Sequence, residues 1–93
     1  MESLFTFIME YLGGTYITQI MSVDLESAIN EWINNLDSNQ IDGLTLKDKN
    51  NLIKNRMFLE PILIEGCKNV WNIDTVINKK NQIAIINIVK TVF

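Results

Sequence analysis

The clearest hydrophobic pattern lies in the first third of the chain. Phe5, Phe7, Met9 and Tyr11 alternate with Leu4, Thr6, Ile8, Glu10 and Leu12, the period of two that marks a strand. Gly13-Gly14 follows, and both residues accept the positive φ of a two-residue type I′ turn. A turn centred there predicts a hairpin with Leu12 opposite Thr15, Tyr11 opposite Tyr16, Met9 opposite Thr18 and Phe7 opposite Ile20. The face holding Phe7, Tyr11, Tyr16 and Ile20 is then the expected core face. The other face mixes Thr6, Glu10, Thr15 and Gln19 with Ile8, Ile17 and Met21. It is too polar for a core and too apolar for a fully hydrated surface, so a partner or another element is expected to cover it.

At Asp24 the period changes to that of a helix. Leu25, Ala28, Ile29, Trp32, Ile33 and Leu36 recur at the spacing of one apolar stripe. Asp24 is the expected N-cap, accepting from the backbone N–H of Glu26 or Ser27, and Glu26 suits the positive end of the helix dipole. The outer face carries Glu26, Ser27, Asn30, Asn34 and Asp37, with Glu31 at its flank and no Lys or Arg. Residues 37–43 form a polar connector that lacks the spacing and terminal glutamate of a calcium loop. Thr45 and Asp48 sit three apart, a variant of the capping box, and open a second, short helix whose narrow stripe is Leu46, Leu52, Ile53 and Met57.

Pro61 ends that region, and residues 61–66 are expected to be extended, as an edge strand at most. A second hairpin follows. Trp71, Ile73, Thr75 and Ile77 alternate with Val70, Asn72, Asp74 and Val76, and residues 78–81 form the turn. Ile83, Ile85 and Val89 stand against Ala84, Ile86, Ile88 and Val92 in a strand apolar on both faces. Such a strand is expected to be central and covered on both sides. The first helix can cover one side. The second helix, the segment around Ile62 or a partner must cover the other. The pattern therefore predicts one α+β domain spanning residues 1–93. Its antiparallel sheet has four to five strands, as two hairpins with two helices between them, in the order ββαα(β)ββ.

Length and composition agree with a single domain. Apolar residues at 47% and charged residues at 20% place the chain among folded globular proteins. No apolar run approaches the roughly 18 residues that a membrane span requires. The N-terminus has an acid and no base before its apolar residues, which does not resemble a secretory signal. With one cysteine, Cys67, no internal disulfide is expected, and a cytoplasmic location fits.

Charge changes the picture more. Residues 1–46 hold seven acids, Glu2, Glu10, Asp24, Glu26, Glu31, Asp37 and Asp42, and no Lys or Arg. Residues 47–93 hold eight bases and four acids, so the halves carry −7 and +4. If the halves interleave in the fold, this asymmetry is erased. If they do not, the acidic half attracts a basic partner and speeds its encounter. Lys47, Lys49, Lys54 and Arg56 make the second helix basic, a pattern that a solvated helix face also shows, and no nucleic-acid partner is expected.

Candidate chemistry is thin. The chain contains no histidine, which removes His-based triads, most zinc sites and the usual proton shuttle near neutral pH. The best catalytic constellation is Asp24, Glu26 and Glu31 with Glu10, but capping and the helix dipole already account for Asp24 and Glu26. Cys67 has no base near it in sequence. Gly13-Gly14 precedes a strand, whereas a dinucleotide fingerprint precedes a helix. Trp32 is expected in the core, and Trp71 in the core or at an interface. No catalytic residue, metal or cofactor is expected.

The run FTFIMEYLGGTYITQIMSVDLESAINEWINNL resembles bacterial immunity proteins of contact-dependent growth inhibition and related polymorphic toxin systems. The tail NVWNIDTVINKKNQIAIINIVKTV is similar to the second half of the same small proteins, so the likeness covers most of the chain. It implies a cytoplasmic inhibitor that binds the C-terminal toxin domain of a large secreted protein one-to-one, without catalysis. Many such toxins are nucleases with basic surfaces. Residues expected to meet the toxin are Glu10, Glu26, Asn30, Glu31, Asn34, Asp37 and Asp42. The hairpin followed by DLESAINEWINNL also resembles the first half of HicB-like antitoxins, which implies an oligomer that binds operator DNA as well.

Overall fold

The computed structural model describes residues 1–78 and 80–92. Two long strands, β1 (Ser3–Tyr11) and β2 (Gly14–Ser22), are followed by helices α1 (Leu25–Asn34) and α2 (Leu46–Lys54). A single 3₁₀ turn at Arg56–Phe58 leads to the short strand β3 (Ile62–Leu63), then β4 (Val70–Val76) and β5 (Ile83–Thr91). The five strands form one antiparallel sheet in the order β2-β1-β5-β4-β3. This is the α+β architecture expected from the pattern, with Ile62–Leu63 as the edge strand beside Pro61. Lys79 of the expected second turn lies outside the described residues.

The first hairpin differs from expectation in register. Tyr11 pairs with Gly14, Met9 with Tyr16, Phe7 with Thr18 and Phe5 with Ile20, so the turn residues are Leu12 and Gly13. Both have positive φ, +48° and +81°, as a type I′ turn demands. Gly14 is needed one place further on, inside β2, because the Tyr16 ring lies across it. A Cβ at residue 14 would stand 2.6 Å from the Tyr16 hydroxyl oxygen. That hydroxyl accepts the Asp42 backbone N–H at 3.2 Å. The Tyr11 hydroxyl donates to the Gly43 carbonyl at 3.3 Å and accepts from the Asn78 amide at 3.0 Å. The two tyrosines thus pin the α1–α2 connector to the hairpin. The slip is by two residues, so every side chain keeps its expected face.

Both helices lie on that face. Asp24 caps α1, accepting from Ser27 N–H at 2.7 Å, and Ala28, Ile29, Trp32 and Ile33 are buried against Phe5, Phe7, Met9 and Ile20. Trp32 stacks on Phe7 with ring centroids 5.1 Å apart and planes 6° from parallel. The geometry is the stacked one that adds about 0.5–1.5 kcal/mol beyond area burial. Both halves of the Thr45/Asp48 capping box are formed. Of the expected stripe of α2, only Leu52 reaches the core, however. Leu46, Ile53 and Met57 are exposed, and the helix is held by Leu52 and by buried Asp48. With two and a half turns, α2 leans on α1 at one side and covers little sheet.

β5 is central, between β1 and β4, but only its helix side is covered. Ala84, Ile86 and Ile88 are fully buried, whereas Ile83 is 57% and Ile85 40% exposed. Of the covers expected for the second face, the second helix is absent because both helices share one face, and the Ile62 segment is absent because it is spent as an edge strand. Among the described residues nothing covers the second face.

Candidate functional site

Two surfaces hold the residues singled out from the sequence. The first is the outer side of α1. Glu26, Asn30, Glu31 and Asn34 are all exposed there. Asn30 and Asn34 line a shallow groove with Ile33 of α1 and Ile53 and Arg56 from the α2 side. Arg56 closes one end. Its Nη2 meets Glu26 Oε2 at 2.5 Å and its Nη1 donates to the Leu59 carbonyl at 3.3 Å. Glu26 is therefore already neutralised by a base thirty residues away, a pairing that helical spacing could not reveal. Asp37 lies past the end of the helix, where one carboxylate oxygen accepts the Asn39 N–H at 2.9 Å. Asp42 lies in the connector pinned by Tyr16.

Glu10 is not part of that surface. It alternates with buried Met9 and Tyr11 and so points from the opposite side of the sheet. The constellation of Asp24, Glu26, Glu31 and Glu10 is consequently not assembled. The Asp24 carboxyl is held below the usual carboxylate range by the Ser27 backbone and hydroxyl hydrogen bonds, as a helix cap is. Among the described residues no group of three or more cysteines and carboxylates comes together in a way that could hold a metal ion. Cys67 is an exposed loop thiol. Trp71 is half-buried and packs against the core.

The second surface is the open face of the sheet. Its rows, read across the strands, are Val70–Val89–Thr6–Gln19, Ile62–Asn72–Asn87–Ile8–Ile17 and Asp74–Ile85–Glu10–Thr15. Polar pairs stitch the rows. The Gln19 amide donates to Thr6 Oγ1 at 3.2 Å, and the Asn72 amide donates to Asn87 Oδ1 at 3.1 Å. Ile17 is 65% exposed. The only charges among these strand residues are Glu10 and Asp74, one on each side of Ile85. The sequence signals for this surface were the mixed face of the first hairpin and the apolar character of both faces of β5. They marked the residues and the need for a cover, but not that both belong to one open face.

The charge halves do not interleave in the sheet. β2 and β1 come from the acidic half and lie together at one edge of the sheet, with α1 packed mainly on β2, and β5, β4 and β3 make up the rest. All seven acids of the first half are exposed. Arg56 is the one base recorded in an ion pair with them among the described residues. Nor is any helix among the described residues long and apolar enough to cross a membrane. No protein-family model, no curated protein and no solved structure matches the chain.

Proposed function

We propose that this chain is a cytoplasmic immunity protein. It binds the toxin domain of a contact-dependent growth inhibition system, of nuclease type, and neutralises it one-to-one without catalysis. The observation that carries the reading is the layout of charge. Glu26, Glu31, Asp37 and Asp42 are exposed along α1 and the connector that follows it, and this surface would meet a basic nuclease surface. The uncovered sheet face supports the same reading, since it leaves Ile17, Ile83 and Ile85 exposed among polar residues, a mixture that interaction surfaces show.

In mechanism the acidic side steers encounter, and the bound protein then occludes the active site or the surface that grips substrate. Glu26 contributes least to steering because Arg56 already balances it. Glu31, Asp37 and Asp42 are the acids that act. The test is association with the C-terminal domain of the product of the upstream reading frame, followed at two ionic strengths. A tight one-to-one complex is expected. Its association rate falls by roughly an order of magnitude or more when Glu31, Asp37 and Asp42 are changed to Lys, and the salt dependence weakens with it. An unchanged rate and salt slope would remove steering, and the absence of any complex would remove the function.

A further inference from the structure

The two edges of the sheet are built differently. β3 is two residues long and follows Pro61, the kind of short, proline-guarded edge that resists pairing. β2 is nine residues long, contains no Pro, Lys, Arg, Asp or Glu, and pairs with β1 in unbroken register without a bulge. In a hairpin closed by a two-residue turn, the residues flanking the turn form a hydrogen-bonded pair, and such pairs then recur at every second position. Here those pairs are Tyr11–Gly14, Met9–Tyr16, Phe7–Thr18 and Phe5–Ile20. The N–H and C=O groups of Thr15, Ile17, Gln19 and Met21 therefore point away from β1, along an edge where Thr15, Ile17, Thr18 and Gln19 are exposed.

A groove of about 290 Å³ runs beside the same stretch on the helix side. Buried Met9, Trp32, Leu36 and Ile41 lie beneath it, and its rim is polar, from Thr15, Thr18, Asn35, Asp37 and Gln40. The C-terminal end of α1 meets this rim with no basic residue in its last turn, so the negative end of its dipole adds to Asp37. An unpaired edge supplies main-chain hydrogen bonds, and a groove beside it takes alternate side chains.

We infer that β2 is a strand-addition site for an extended segment bearing Lys or Arg, which joins the sheet as a sixth strand. Its apolar side chains enter the Trp32–Leu36 groove, and its bases meet Asp37 on one face or Glu10 on the other. The site rests on the toxin-inhibitor reading only for the name of the partner.

The test uses an acetylated nonapeptide alternating lysine and valine, titrated into the isotope-labelled full chain. Saturable shifts of the Thr15, Ile17, Gln19 and Met21 amides are expected, and none with glutamate in place of lysine. Gln19→Pro removes one outward N–H and no β1–β2 bond, so it should keep the fold and weaken the peptide about tenfold or more. Ile17→Lys, which sets a like charge on the β2 edge, is the second variant should the proline disturb the strand, and it too should weaken the peptide about tenfold or more. Absence of saturable shifts along β2, or equal binding by both variants, would overturn the inference. So would concentration-dependent dimerisation through β2 in the free protein. Peptide binding at β2 with no toxin complex would leave the site standing and remove the toxin reading. A toxin complex indifferent to both variants would do the reverse.

Discussion

The two faces of the sheet were built to different rules. On the helix side, Phe5, Phe7, Met9, Ile86 and Ile88 are each at most 1% exposed and meet the apolar stripe of α1. On the other side, isoleucines alternate with Thr, Asn and Gln that bond to each other across strands, and among the described residues no element lies over them. The first face is what folds the protein. The second carries polar rows that suit water, and it leaves Ile17, Ile83 and Ile85 exposed. The packing that stabilises the chain is thereby concentrated on one side of the sheet, and substitutions should reveal the difference.

The largest effect belongs under the helix. Phe7→Ala removes a stacked, fully buried ring and should cost about 3–5 kcal/mol, visible as a large fall in the urea midpoint. A loss below 1 kcal/mol would mean that the Phe7–Trp32 centre is not the core.

Tyr11→Phe comes next, at about 1–3 kcal/mol, because it leaves the Gly43 carbonyl and the Asn78 amide without their hydroxyl partner. The same residue gives the fold an alkaline limit. Burial and the nearby Asp48 carboxylate push the Tyr11 phenol up, and the Asn78 hydrogen bond only partly opposes them. A raised pKa in the folded state means that the folded chain holds this proton longer than the unfolded chain does. The stabilisation is complete below the unfolded value of about 10 and is lost as pH rises through the folded one. Tyr11→Phe should flatten that alkaline decline in a pH series of denaturation midpoints.

Smaller still is Glu26→Gln, which breaks the Arg56 pair at the surface and should cost about 0.2–1 kcal/mol, less at high salt. The smallest is Ile85→Thr on the open face, expected to stay within about 0.5 kcal/mol of the parent chain. A loss near that of Phe7→Ala would show the open face to be a second core and would break the comparison.

Much of the covered side was legible in the sequence because it rests on local rules. The Asp24 cap, the 25–36 stripe and the alternation of β1 each follow from spacing alone. The hairpin register was not legible to the same degree, because Leu12-Gly13 and Gly13-Gly14 both satisfy a two-residue turn. The choice between them depends on Tyr16 needing Gly14 beneath its ring, which is a tertiary fact. The α2 stripe misled because a nine-residue helix anchored by Leu52 and a capping aspartate need not bury Leu46, Ile53 or Met57. At the candidate site, the acids were visible but the Glu26–Arg56 pair and the isolation of Glu10 on the far face were not. Both depend on which elements the topology brings together.

The measurement that goes most directly to function is growth. The C-terminal segment encoded by the upstream reading frame is expressed alone, then together with this chain. The account predicts arrest in the first case, and in the second full relief with recovery of a one-to-one complex. Arrest that persists in the presence of this chain, or a segment that never arrests growth and forms no complex, would contradict it.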